Sequence, residues 1–174
     1  MQKFISIFLI TFILFVKALY SEQIITADEP ELFIGSPDNE LFFAGTNNIE
    51  SSGVCAFVSN AEGFNNIYLR KKNEGLGFIT VKLTSNPYSD NSDPVFSYDG
   101  TVLAFTTNRT DAGGNIELIK FDTNYNIISR NEIILNETIE FMPVFSSDGN
   151  FLFFCQKDKK SISVTETKIK KINL

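Results

Sequence analysis

Short runs of apolar residues recur along the chain after residue 40, and polar turn residues separate them. Some runs are apolar at every position, as in Val102–Phe105 and Phe151–Phe154, whereas Asn115–Lys120 mixes polar and apolar positions. Runs of this length bounded by Gly, Asn, Asp and Ser are typical of β-strands. Strands that are apolar throughout are buried on both faces, as in stacked sheets. We therefore expect the first two runs to lie between sheets and Asn115–Lys120 to lie nearer an exposed edge.

Two segments of the chain repeat each other closely. PVFSYDGTVLAF (94–105) and PVFSSDGNFLFF (143–154) share Pro, Val, Phe, Ser, Asp, Gly, Leu and Phe in register, 49 residues apart. A fainter copy lies one period upstream, where CAFVSN (55–60) aligns with LAFTTN (103–108). This copy lacks the PxFSxDG opening, and its remnant is either Ser51-Ser52-Gly53 or Ser36-Pro37-Asp38 ahead of Leu41.

Each copy predicts a series of short antiparallel strands. Asp99-Gly100 and Asp148-Gly149 stand between apolar runs and predict tight turns, because glycine accepts a positive φ without a Cβ penalty. Third strands are expected at 66–70 and 115–121, and fourth strands at 78–83 and 127–135. No stretch after the N-terminal segment sustains a helical apolar stripe. A repeat of about 40–50 residues with four short strands is typical of a β-propeller blade, so the chain is predicted to be all β.

Residues 94–122 and 143–154 resemble the P-x-F-S-P-D-G-x-x-[IL]-x-F-x-S-N-R repeat of TolB-like β-propellers, also called WD40-like propeller repeats. The resemblance implies a partial or truncated propeller of about three four-stranded antiparallel blades within residues 22–174, with repeats near 41–84, 94–135 and 143–172. Two features depart from the repeat: Tyr98 and Ser147 replace its second Pro, and Asn-Arg survives only at Asn108-Arg109. Family propellers close with more blades than this chain has room for. We therefore expect a fragment of a longer propeller, an open stack of sheets, or a homo-oligomer that completes the ring.

The N-terminal segment predicts export. Phe4–Val16 is apolar and follows Lys3, and as a helix it would span about 20 Å, less than the roughly 30 Å hydrocarbon core of a bilayer. With small residues at Ala18 and Ser21, residues 1–21 match a secretory signal peptide and indicate a periplasmic or cell-envelope location. Lys17 lies close to the cut and leaves an uncleaved membrane anchor as the alternative.

The composition excludes several chemistries. The 174 residues contain no His, which excludes a Ser-His-Asp or Cys-His relay and imidazole ligands for zinc. The net charge is −6 and no stretch of the folded region is strongly basic, so nucleic acid is not an expected partner. The two cysteines, Cys55 and Cys155, fall in apolar strands of different repeats, which favours free buried thiols over a disulfide.

Most candidate sites have a structural explanation. Asp90, Asp93 and Asp99 lack the Glu that a calcium loop needs at its twelfth position, and Asp99 is expected to order its turn instead. The lysine-rich tail predicts a solvated edge strand. The abundant Phe residues are expected in the core, among them Phe42, Phe43, Phe57, Phe96, Phe105, Phe145, Phe151, Phe153 and Phe154. No catalytic, cofactor-binding or metal-binding residue is predicted, and the predicted structural turn residues are Asp99, Gly100, Asp148 and Gly149.

The resemblance implies an exported, non-catalytic scaffold that binds other envelope proteins, with contact to a membrane only through an uncleaved N-terminal segment. The loops that connect the strands are the expected contact surface, with candidate residues Asn86, Tyr88, Asp90, Asn108, Arg109 and Asp111. One alternative is the propeller portion of a hydrolase or peptidase system, whose catalytic domain would lie on another chain because the Gly-x-Ser-x-Gly elbow is absent here. A second alternative is a degraded gene product without a present role.

Overall fold

The computed structural model describes residues 40–46, 53–73, 75, 77–135, 137–161 and 166–174, all within one unit of the chain, Ile34–Leu174. The described residues contain eleven β-strands, which confirms the all-β prediction. The proposed signal segment, Ser36–Asp38, Ser51 and Ser52 lie outside the described residues. The strands are β1 (Glu40–Gly45), β2 (Cys55–Ser59), β3 (Asn66–Asn73), β4 (Gly77–Lys82), β5 (Asn91–Phe96), β6 (Val102–Thr107), β7 (Asn115–Phe121), β8 (Ile127–Ile133), β9 (Thr138–Phe145), β10 (Phe151–Asp158) and β11 (Lys168–Asn173).

The strands form three antiparallel sheets, each in chain order. Blade 1 is β1-β2-β3-β4, blade 2 is β5-β6-β7-β8, and blade 3 is β9-β10-β11. Four strands were expected in each blade, and the described part of blade 3 has three. β11 pairs with β10 along its full length and is exposed, as expected for a lysine-rich edge strand.

The first repeat has an opening strand, β1, although its sequence lacks the PxFSxDG motif. The Thr46 N–H donates to the Val54 carbonyl at 3.3 Å. In the other repeats Ser97 donates to Val102 at 2.8 Å, and Ser146 donates to Phe151 at 2.9 Å, in the same way. Thr46 therefore occupies the position of the motif serine, and β1 is the counterpart of β5 and β9.

Side chains from alternate positions of β6 fill two separate seams. Leu103 and Phe105 are fully buried in the core that blade 2 shares with blade 1, where they meet Ala56, Val58 and Leu69. Ala104 points the other way, into the core shared with Leu152 and Phe154 of blade 3. Burial of each large side chain contributes about 1.5–3 kcal/mol. The expectation that this strand lies between sheets is confirmed for β6.

The second apolar strand, β10, is buried on one face alone. Leu152 and Phe154 pack in the seam with blade 2, whereas Phe151 and Phe153 lie half-buried on the far face. No described sheet covers that face. The prediction of burial on both faces was therefore wrong for β10, because its apolar residues do not reveal how many blades follow.

Two further expectations were wrong. Asn115 and Glu117 of β7 are buried rather than close to an exposed edge. The reason is that β8 pairs with the outer edge of β7, and Arg130 forms an ion pair with Glu117. Phe42 and Phe43 of β1 are more than half exposed rather than in the core. β1 is the first strand of its sheet, so one of its edges has no neighbouring strand among the described residues.

The opening strand of every blade contains the same irregularity. The pairing of β1 with β2, β5 with β6, and β9 with β10 shifts register in each case, as in a β-bulge. The residues within the shifts are Phe42, Asp93 and Met142, and all have positive φ, between 47° and 54°. Residues other than glycine rarely adopt this backbone conformation. The bulge is therefore part of the repeat.

Candidate functional site

The six predicted contact residues lie in two loops at the same end of the sheets. Asn86, Tyr88 and Asp90 belong to the β4–β5 loop, and Asn108, Arg109 and Asp111 belong to the β6–β7 loop. Loops at this end, which also include β2–β3 and β10–β11, form what we call the loop face. The opposite end contains the β5–β6 and β9–β10 turns, because successive antiparallel strands turn at alternate ends.

Asp90 joins three loops of the loop face. Its N–H donates to Asn108 Oδ1 at 2.7 Å, and its carbonyl accepts the Asn108 N–H at 3.2 Å. Its carboxylate accepts the Asn65 N–H from the β2–β3 loop at 2.9 Å. A carboxylate that bonds backbone N–H groups of a neighbouring blade fixes the relative position of both loops. Asp90 and Asn108 thus link the β2–β3, β4–β5 and β6–β7 loops of the loop face by hydrogen bonds.

Asp111 lies apart from the other five residues. Its carboxylate pairs with Lys159 of blade 3 and accepts the Gly113 N–H at 2.9 Å. The hydrogen bond from Lys159, followed by that from Gly113, lowers the pKa of Asp111 below its ordinary value. Asp111 therefore connects blades 2 and 3.

A cavity of about 370 Å³ opens between the β4–β5 loop and the outer strands of blade 2. Hydroxyl and amide groups of the loop form one wall, and charged side chains of blade 2 form the other. Its lining residues are Leu83, Thr84, Ser85, Asn86, Ser89, Asn91, Arg109, Glu117 and Arg130. The volume lies at the lower end of the range for ligand pockets in proteins.

Four charged side chains beside this cavity form a network that sequence reasoning did not find, apart from Arg109. Arg109 Nη2 donates to Glu132 at 2.5 Å and lies 3.5 Å from Glu117. Arg130 Nη1 donates to Glu117 at 2.8 Å, and its Nη2 donates to the Leu83 carbonyl at 2.5 Å. The signal in the sequence was the set of charged residues inside the predicted strands β7 and β8. Charged residues in strands usually face solvent, so this signal alone does not predict a buried network.

The two glutamate side chains of the network are buried, and the two arginine side chains are partly exposed. The side chains of Glu117 and Glu132 are 5% and 8% exposed, whereas those of Arg109 and Arg130 are 43% and 37% exposed. Burial of a carboxylate is costly unless it is paired and hydrogen-bonded. Glu132 satisfies this condition, since it also accepts from Thr110 and, at 3.0 Å, from Asn115 Nδ2. The two carboxylates therefore hold the guanidinium groups in place at the cavity mouth.

An exposed aromatic pair lies in the adjoining loops. The Tyr88 and Phe64 rings pack edge to face with centroids 6.5 Å apart, and Tyr88 is 84% exposed. The Tyr88 N–H donates to Asn86 Oδ1 at 3.0 Å, which orders the loop beneath the ring. Exposed tyrosine together with a fixed arginine is the composition typical of binding hot spots.

The four predicted turn residues lie at the opposite end. Ser97 Oγ donates to Asp99 at 2.7 Å and accepts the Val102 N–H at 2.9 Å, while Asp99 also accepts the Thr101 N–H. Gly100 has a φ of 72°, which a residue with a Cβ would adopt only with strain. The hydrogen bond from Ser97 is the main cause that lowers the pKa of Asp99.

The same turn recurs in blade 3. Ser146 donates to Asp148 and accepts the Phe151 N–H at 3.0 Å. Gly149 has the same φ of 72° as Gly100. The hydrogen bond from Ser146 is again the main cause that lowers the pKa of this aspartate. These serine, aspartate and glycine residues stabilise turns.

A protein assigned as TolB from Agrobacterium tumefaciens superposes with a TM-score of 0.59 at 16% identity, over 80% of this chain and 46% of the other. The described chain has the fold of part of a TolB β-propeller. TolB from Acinetobacter baumannii also matches, with a TM-score of 0.42 at 15% identity, over 81% of this chain and 42% of the other. The chain spans less than half the length of either TolB structure. In sequence, it matches no family profile and no curated protein.

Two kinds of feature are absent from the described residues. None of their helices is long and apolar enough to cross a membrane. Nor do three or more of their His, Cys, Asp or Glu side chains come together as metal ligands would.

Proposed function

We propose that this protein is an exported, non-catalytic binding module that uses the loop face of a TolB-like partial propeller to hold another protein of the cell envelope. The single observation that carries the proposal is the exposed Tyr88–Phe64 ring pair, in loops that hydrogen bonds join to the loop of the ion-paired Arg109. Rigid blades beneath ordered loops provide a preformed surface, which lowers the entropy lost on binding.

The charged network supports binding rather than catalysis. General acid–base catalysis needs a carboxyl group that can exchange a proton with a substrate. Glu117, the carboxylate that lines the cavity, is buried and bonded to Arg130, and Glu132 is bonded to Arg109. Both carboxylates position arginine side chains.

Export and the envelope location rest on the sequence of residues 1–21 and on the resemblance to TolB-like repeats. They are tested by expressing the full chain in a bacterial host and sequencing the N-terminus of the product in each cell fraction. Recovery from the periplasm with a new N-terminus near residue 19 or 22 is the expected result. Retention of the intact chain in the cytoplasm would contradict the proposal.

The binding role is tested by chemical cross-linking of the exported chain in envelope preparations. Tyr88→Ala is compared with Tyr98→Ala, because Tyr98 is an exposed tyrosine of the β5–β6 turn at the opposite end. We expect Tyr88→Ala to remove a specific cross-linked species that Tyr98→Ala leaves intact. Equal patterns from the two variants would overturn the assignment of the loop face.

A further inference from the structure

In the charged network beside the loop-face cavity, the arginine donors are more exposed than the glutamate acceptors. Glu117 and Glu132 lie beneath the surface, while Arg109 and Arg130 lie above them at the mouth. Arg109 uses Nη2 for both carboxylates, and its Nη1 and Nε make no hydrogen bond to any described residue. A guanidinium held by buried partners therefore has donors available on Nη1 and Nε. A carboxylate can accept a charge-assisted hydrogen bond from such a donor.

We propose that the loop face binds a peptide segment in which a carboxylate stands beside an aromatic or branched aliphatic side chain. The carboxylate accepts a hydrogen bond from Nη1 or Nε of Arg109 at the cavity mouth, and the apolar side chain packs on the rings of Tyr88 and Phe64. This inference rests on the proposed function and specifies the chemistry of the partner.

The aromatic pair and the arginine belong to loops that hydrogen bonds join to one another. Asp90 follows Tyr88 by two residues, and Asn108 immediately precedes Arg109 in the chain. The two hydrogen bonds between Asp90 and Asn108, at 2.7 and 3.2 Å, join these loops directly. Asn65, which follows Phe64, is joined to the same aspartate at 2.9 Å. All three contact groups therefore belong to one hydrogen-bonded unit.

Local charge distinguishes this ligand from a polyanion. The two arginines are neutralised by the two glutamates, and the whole chain has a net charge of −6. A nucleic acid needs several cations along its phosphates, and nothing of that kind surrounds the cavity among the described residues. One peptide carboxylate needs only one arginine donor. The polar side chains of Ser85 and Asn86 also line the cavity, where the adjoining peptide groups would lie.

The test uses the full chain and pairs of immobilised twelve-residue peptides. Each pair differs only by Glu against Gln at a central position, and each is made with Phe, Leu or Ser as the neighbour. We expect a preference of about tenfold or more for Glu, the value of one charge-assisted hydrogen bond, and a preference for Phe or Leu over Ser.

Three variants assign these preferences to residues. Arg109→Gln combined with Glu132→Gln removes one charge of each sign and should abolish the preference for Glu. Tyr88→Ala should abolish the preference for Phe and Leu and leave that for Glu. Tyr98→Ala should change neither. Circular dichroism and urea unfolding of each variant establish that it is folded.

Other outcomes separate this inference from the proposed function. Equal binding of Glu and Gln peptides by the wild-type chain overturns the carboxylate assignment, and the proposed function then stands if Tyr88→Ala still removes the cross-linked envelope partner. Binding of acetate or inorganic phosphate, measured by calorimetry, without any peptide preference shows a small-anion site and also overturns the inference. Loss of both the peptide preference and the Tyr88-dependent cross-link removes both proposals.

Discussion

Asp93 and Met142 occupy the same position in successive blades, and both have a left-handed backbone, with φ of 53° and 54°. A residue other than glycine costs of order 1 kcal/mol in this region. At Asp93 two hydrogen bonds offset part of this strain, because its carboxylate accepts the hydroxyl hydrogens of Ser92 at 2.8 Å and of Thr106 at 3.0 Å. The Met142 side chain is more than half exposed. The strain in blade 3 is therefore less compensated than the strain in blade 2.

We expect Met142→Gly to leave the free energy of unfolding unchanged or to raise it, because it relieves the left-handed strain. The matched control is Val144→Gly, on the same strand and equally exposed, which should lower it by about 1 kcal/mol. Asp93→Gly should also lower it, since two hydrogen bonds are lost. Urea unfolding of the three variants measures these differences, and equal losses for Met142→Gly and Val144→Gly would refute the interpretation of the bulge.

The two faces of β10 provide a second prediction. Phe154 is buried in the seam with blade 2, and its neighbour Phe153 lies half-buried on the far face. Phe154→Ala should lower the free energy of unfolding by about 3–5 kcal/mol, and Phe153→Ala should lower it by less than about 1.5 kcal/mol. Light scattering of the same samples determines whether the chain self-associates. An equally large loss for Phe153→Ala, together with a dimer that this variant dissociates, would show that a second copy covers the face.

The β5–β6 turn predicts a pH dependence of stability. The Ser97 hydroxyl is the main cause that lowers the pKa of Asp99, so the folded protein binds fewer protons than the unfolded chain between the two pKa values. The contribution of Asp99 is therefore fully present above the unfolded pKa of about 3.9 and is lost as pH falls through the folded pKa.

We expect Ser97→Ala to raise the pKa of Asp99, measured by carboxyl NMR titration. Asp99→Asn should reduce the loss of stability that urea unfolding shows between pH 5 and pH 2.5. Ser147→Ala, which changes an exposed serine in the other turn, is the control and should leave Asp99 unchanged. A pKa of Asp99 that is the same with and without the Ser97 hydroxyl would contradict the assigned cause.

The arginine–glutamate network predicts non-additive effects. Arg109→Gln deprives the buried Glu132 of its charged partner and should lower the free energy of unfolding by about 1–2 kcal/mol. Glu132→Gln should also be destabilising, and the double variant should be more stable than the sum of the two single changes predicts. A double-mutant cycle by urea unfolding gives the coupling free energy. Strict additivity would show that the pair does not interact.

The two cysteines are predicted to differ in reactivity. Both are free, and Cys55 is fully buried, which raises its pKa to about 11. Cys155 lies half-buried on the open face of blade 3. Because the thiolate is the reactive form, Ellman's reagent at pH 8 should label Cys155 in the folded protein and Cys55 only in urea. In Cys155→Ser, fast labelling of the folded chain would contradict the burial of Cys55.

The sequence predicts the blades well because their determinants are local. Asp99-Gly100 and Asp148-Gly149 mark a turn that only nearby hydrogen bonds build, and the apolar runs beside them become β6 and β10. Strand positions follow from residues within the same repeat. The class of fold and the position of each turn can therefore be derived without knowledge of distant contacts.

The charged part of the candidate site could not be derived in this way. Glu117 and Arg130 stand on neighbouring strands and bond across them, and Arg130 also reaches the Leu83 carbonyl in the linker that follows blade 1. Nothing in one repeat alone indicates such a contact. Of the predicted contact residues, Asp111 bonds to blade 3 because Lys159, in a distant loop, lies next to it. Burial of a charge depends on the tertiary partner, which a pattern within one strand does not contain.

Leu103 and Phe105 of β6 pack in the core shared with blade 1, whereas Ala104 packs in the core shared with blade 3. The two cores therefore have no buried side chain in common. Each junction requires only the adjacent pair of sheets, as in a stack whose stability is a sum over nearest neighbours. An array built in this way can gain or lose a unit at its margin while every interior junction keeps its structure. The number of units in such a protein is thus open to genetic duplication and deletion.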